Sequence, residues 1–107
     1  MNAQQVIEER ILAQHHVIAD RIAKDPGLIR HARSNLARWR ERYVDEGLPL
    51  WFHEWQAILD APVEGIVEIL TERSDRATWL RSCSPFAGAL SPRERWRILK
   101  GIDSAQA

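Results

Sequence analysis

Along this 107-residue chain the apolar positions recur at helical spacing, and no segment alternates at period two between hairpin turns. Over 2–24, Ile7, Ile11, Ile18 and Ile22 fall on one stripe, with Asn2 placed to cap and Gln5 three residues later to complete a capping box. "KDPG" breaks that helix; Asp25 can cap the next one while Pro26 sits in its first turn, where a missing N–H costs little. The second helix, 26–44, has the clearest seam: Ile29, Ala32, Leu36, Trp39 and Tyr43 advance by three, four, three and four. "DEGLP" ends it, with Gly47 suited to a C-cap and Pro49 unable to continue the turn.

A third helix over 49–60 aligns Trp51 and Trp55 with Ile58 or Leu59, and "DAP" repeats the break. The fourth, 62–72, carries Val63, Ile66, Val67 and Leu70; "GIVEIL" within it is β-branched, but its flanks suit helix better. Ser74 or Asp75 can cap a brief fifth helix, 75–82, holding Trp79 and Leu80. Ser91-Pro92-Arg93-Glu94 is a second capping box with Pro at the first helical position, so a sixth helix runs over 92–100 and stops at Gly101. The prediction is an all-α, compact bundle of about five or six short helices, one domain over 1–101 with 102–107 a frayed tail.

Between the last two helices lies "SPFAGALSPRERW", residues 84–96. Pro85 biases Ser84 away from helix, Gly88 permits a left-handed turn, and Pro92 starts the sixth helix. Phe86 and Leu90 are the large apolar groups of the connection, and they are expected to pin it onto the body.

Charge changes the picture. Fifteen Lys and Arg balance fifteen Asp and Glu, which argues against a generic nucleic-acid binder, but the signs are segregated. Arg30 to Arg42 holds five arginines and one acid; 43–72 holds seven acids (Asp45, Glu46, Glu54, Asp60, Glu64, Glu68, Glu72) and no Lys or Arg; Arg73 to Lys100 returns to seven bases against two acids. Glu64, Glu68 and Glu72 stand at i, i+4 and i+8, where like charges repel, so something positive should face them. Either the acidic middle packs beside a basic helix of the same molecule, or one charged face docks a partner; whether the faces meet within one chain or between two stays open.

Little chemistry emerges. His15 and His16 project about 100° apart on one helix and do not converge on an ion. "HEWQA" at 53–57 begins like a zinc-protease helix but has Ala57 where the second His must stand. These histidines and His31 are expected to be solvated or partly packed, with no metal or other cofactor. No Gly-x-Ser-x-Gly elbow or Gly-rich phosphate loop occurs, and the single cysteine, Cys83, reads as a small buried hydrophobe in a reducing compartment. The expectation is not an enzyme. The opening residues lack the apolar run of a signal peptide and no stretch reaches membrane-spanning length, so a cytoplasmic location without membrane contact is expected.

Five tryptophans, Trp39, Trp51, Trp55, Trp79 and Trp96, each read first as core, yet Trp and Arg together are the residues that most often carry interface energy. "NLARWRERY" at 35–43 and "LRSCSPFAGALSPRERWRIL" at 80–99 resemble a family of small bacterial all-helical proteins marked by a C-terminal SPFAG-x-L and ERW pattern. That resemblance implies an antitoxin-like or accessory partner of the kind encoded in toxin–antitoxin-type gene pairs; it carries over no residue role. The expected function is thus a non-enzymatic module that binds a protein encoded by a neighbouring gene, through Arg33, Arg40, Phe86, Arg93, Arg95 and Trp96. The alternative is a DNA-binding regulator using the Arg-rich second helix after a helix-turn-helix step, against which the acidic 45–72 segment would repel phosphate.

Overall fold

Asn2 accepts from the Gln5 backbone at 2.8 Å while the Gln5 side chain accepts from the Asn2 backbone at 3.0 Å, so the first helix begins where its capping box places it. The computed structural model describes residues 1–43 and 47–106, with side chains over 1–43 and 47–101. Its elements are α1 (Ala3–Ile22), α2 (Gly27–Arg40) with a 3-10 turn at Glu41–Tyr43, α3 (Leu50–Asp60), α4 (Val63–Thr71), α5 (Asp75–Ser82) and α6 (Pro92–Gln106). The fold is an all-α bundle, with no strand among the described residues. The expected end of the second helix at 44, and the acids Asp45 and Glu46, lie outside the described residues.

Helix α1 packs against α2, α4, α5 and α6, and α3 closes the other side against α2, α4 and α5. Between them Leu36, Phe52, Trp55, Leu59, Ile66, Leu70, Leu80 and Phe86 are buried. Each such side chain contributes about 1.5–3 kcal/mol by leaving water. The Trp55 indole donates to Leu80 O at 2.9 Å, which lets the largest core residue be buried without an orphaned N–H. Trp51 meets Trp39 edge-on at 5.9 Å and Tyr43 at 6.2 Å, tying the end of α2 to the start of α3.

Two expectations are corrected. On α1 only the second half of the isoleucine stripe is buried, Ile18 and Ile22 together with Leu12, His15 and Ala19: Ile7 is exposed, because with Ile11 it lines an open hollow beside Trp79 rather than the core. At the other end, α6 passes through Gly101 to Gln106, so the expected stop at Gly101 is not taken. A glycine stops a helix by taking positive φ; Gly47 (φ +77°) and Gly88 (φ +83°) do so, and Gly101 does not.

Arg81 was not singled out by pattern, yet it is 4% exposed. Its guanidinium donates to Ile69 O at 3.0 Å and Glu72 O at 2.6 Å, satisfying carbonyls at the C-terminal end of α4, where a cation is also favoured by the helix dipole. This contact locks α5 onto α4. Burial, with Arg73 nearby, lowers the pKa of Arg81, while Glu72, Glu9 and Glu8 act in the opposite sense.

Candidate functional site

The 84–91 connection is clasped from two sides. From α1, the His15 ring donates from Nδ1 to Ile11 O at 2.8 Å. A carbonyl can only accept, so Nδ1 carries the proton and Nε2 accepts from the Ser84 hydroxyl at 2.7 Å. Ser84 Oγ in turn accepts from Phe86 N at 3.2 Å, which shapes the turn. From α2, buried Asn35 donates from Nδ2 to Pro85 O at 2.7 Å and to Ala87 O at 3.1 Å, and His31 Nε2 donates to Ala87 O at 2.8 Å. Arg38 donates to Asn35 Oδ1 and so orients the amide. Phe86 and Leu90 then point into the core, Phe86 edge-on to Trp55 at 6.1 Å.

The Ser84–His15 pair has the polarity of a nucleophile and its base. The His15 pKa, however, is pushed down to about 4, chiefly by burial and further by Arg81, against the pull of the Ile11 carbonyl. A ring with that affinity is a weak proton acceptor at neutral pH, and the pair acts as a strut between α1 and the turn. His15 is thus more deeply buried than the solvated or partly packed state expected of the histidines, while His16 and His53 are exposed. Cys83 is half-buried rather than enclosed. No group of three or more His, Cys, Asp or Glu among the described residues is arranged to hold a metal ion.

The six expected docking residues separate into distinct places. Phe86 is 1% exposed and belongs to the core; its place in a docking surface is withdrawn, because the clasp holds its backbone with the ring turned inward. Arg33 and Arg40 line a groove between α2 and α3 with Leu36, Phe52 and Leu59; Arg33 is engaged there, donating to Leu59 O at 2.6 Å with Asp60 at 4.0 Å. Arg95 flanks α6 on the α1 side, lining a hollow with Gln14, His15 and Leu90. Arg93 and Trp96 remain on the outer face of α6. Among the described residues the helix that α6 packs against is α1, and α2 does not join this face.

The inner face of α6 explains the outer one. Ser91 and Glu94 form the expected capping box, with both bonds at 3.1 Å. Glu94 also pairs with Arg21 of α1, and that guanidinium, with the Ser91 contacts, holds its carboxyl pKa down to about 2. Ile98, four residues on, packs against the core. Trp96 lies about 200° around the helix from both. It is 60% exposed, with Lys100 Nζ 4.7 Å from its ring centroid and Arg93 and Arg97 exposed beside it.

Of the acidic middle, Glu54 pairs with Arg76 at 2.6 Å and Asp60 approaches Arg33, so part of it is met within the chain. Among the described residues no Lys or Arg pairs with Glu64, Glu68 or Glu72. No family model, no curated protein and no solved structure matches this chain. No helix among the described residues is long and apolar enough to cross a membrane.

Proposed function

We propose that this protein is a non-enzymatic protein-binding module, antitoxin-like in its biology, that docks a second protein through the outer face of α6. The observation that carries the reading is Trp96: a large aromatic side chain, 60% exposed, framed by Arg93, Arg97 and Lys100 on a helix whose other face is anchored. Trp and Arg dominate interface hot spots, and cations around an aromatic anchor steer association with an acidic surface. The antitoxin-like part rests on the resemblance of the 80–99 tail.

Co-expression with the product of the neighbouring gene tests the proposal. The wild-type chain should co-purify with it, and Trp96→Ala with Arg93→Glu should reduce capture about tenfold or more while far-UV circular dichroism is unchanged. Arg95→Glu, on the other flank, serves as the control and should retain capture. Undiminished co-purification of the double variant refutes this surface. The DNA-binding alternative makes a separate forecast, duplex affinity falling steeply with salt, and no mobility shift at low salt removes it.

A further inference from the structure

The outer face of α6 has a complement on its own chain that it does not touch. Between α3 and α4 runs a shallow groove of about 330 Å³, floored by Ala57, Ala61, Gly65 and Ile69 and rimmed by Glu68 and Glu72. Arg76, at its edge, is held by Glu54. The groove is apolar below and acidic above, and among the described residues α4 and α6 make no contact. We propose that this groove receives Trp96 from a second copy of the same chain.

Three features point to that occupant. Glu64, Glu68 and Glu72, which form no ion pair among the described residues, span about 12 Å of helix, and Arg93 to Lys100 spans about 10.5 Å, so the two rows match in length as well as in sign. The chain as a whole has zero net charge, so copies approach without general repulsion while these two faces attract. The groove is also open where an indole would enter: a Cβ added at Gly65 would meet only Ala61 Cβ, at 3.8 Å. Each copy offers one basic aromatic face and one acidic groove, so a two-fold pair would make the same face-to-groove contact twice. The inference rests on the same exposed Trp96 as the proposed function, and self-association would compete with partner docking for that face.

Sedimentation equilibrium of the full chain over a concentration series, at low and high salt, tests this. The wild type should show a concentration-dependent dimer that weakens as salt rises. Gly65→Leu fills the groove without touching α6 and should raise the dimer dissociation constant about tenfold or more, with unchanged circular dichroism. Glu64→Lys with Glu68→Lys, and Arg93→Glu with Arg97→Glu, should each be monomeric, and mixing the two should restore a dimer because each altered face then meets its opposite. A wild type monomeric throughout, a dimer indifferent to Gly65→Leu, or a mixture that stays monomeric overturns the inference. Should Gly65→Leu fail to fold, the mixing experiment decides alone. Gly65→Leu leaves the α6 face intact, so loss of its dimer with retained capture of the neighbouring gene product separates this inference from the proposed function; a restored mixed dimer without any such capture refutes only the latter.

Discussion

Replacing Asn35 by leucine should destabilise the protein by about 2 kcal/mol, and the geometry says why. Asn35 is 2% exposed, and leucine fills its space, so no cavity is added. What disappears are two donated bonds, to Pro85 O at 2.7 Å and to Ala87 O at 3.1 Å, and the bond accepted from Arg38, whose exposed guanidinium turns to water instead. The second acceptor keeps His31 Nε2 at 2.8 Å. Pro85 O has no other partner among the described residues, and an orphaned buried acceptor costs roughly 1–3 kcal/mol. For a domain of this size that lowers Tm by roughly 8–16 °C. Urea unfolding followed by tryptophan fluorescence is the direct assay, because Trp55 meets edge-on the Phe86 ring that the turn delivers. His31→Leu alone should cost less, below about 1 kcal/mol, since Asn35 still serves Ala87 O; the double variant should exceed the sum by roughly 1 kcal/mol because the shared acceptor is then bare. A loss under about 0.5 kcal/mol for Asn35→Leu would mean that the turn is not held from α2, and strict additivity would mean that the carbonyl is not shared.

Three further outcomes are expected. His15 is neutral when folded, its pKa pushed down to about 4 from an ordinary 6.5, so the unfolded chain binds its proton first: stability is full above about pH 6.5 and falls by about 3 kcal/mol as pH drops to about 4. In His15→Gln the slope over that window should flatten in a pH series of urea midpoints, and an unchanged slope would refute the assignment. Gly88→Ala forces a Cβ onto φ +83° and should cost about 1–2 kcal/mol by thermal unfolding, the strain lying in the backbone because His31 is 3.6 Å away. Gly65→Ala, inside α4 with open space around it, should instead gain about 0.5–1 kcal/mol, and a loss there would contradict the open groove.

Helix existence and starts were legible because their determinants are local. Asn2 with Gln5, Ser74, and Ser91 with Glu94 each act across three residues, and all three caps form. The clasp was not legible, because His15 and Ser84 are 69 positions apart and Asn35 lies 50 from Pro85. A signal was nonetheless present: Asn35 follows Ala32 by three on the α2 seam, and His15 follows Leu12 by three on α1, each a polar residue inside an apolar stripe. Such a residue needs a partner from elsewhere in the fold. That Phe86 is buried and the other expected docking residues lie apart was hidden for a related reason. Composition ranks Phe86, Arg95 and Trp96 together, whereas placement depends on which turn of α6 faces inward. Taking Glu94 and Ile98 as the inward pair places Trp96 opposite and Arg95 on the flank, a projection available only once α1 is known to be the helix beneath.

Exposure of Trp96 is imposed by the fold rather than left over by a loose tail. The Ser84 strut and the Asn35 bonds fix where the turn runs, and buried Leu90 delivers Ser91 to the point where α6 begins. The Ser91–Glu94 box starts the helix, Arg21 holds Glu94, and Ile98 holds the next turn down. Turning Trp96 inward would break the ion pair, expose Ile98 and bury Arg93 or Arg97 beside α1 without a partner, a cost well above what one indole regains. Relief of its hydration must come from outside the molecule. A similar logic applies to Glu64, Glu68 and Glu72: among the described residues no base forms an ion pair with them, since Arg73 and Arg76, the bases nearest in sequence, are committed to Glu9 and Glu54, and only Arg81, bound to the Glu72 carbonyl, offsets the charge at one end of the row. The exposed aromatic among cations and the acidic row along α4 are thus both consequences of how the chain packs, and they are the two faces on which the proposed docking and the proposed pairing rest.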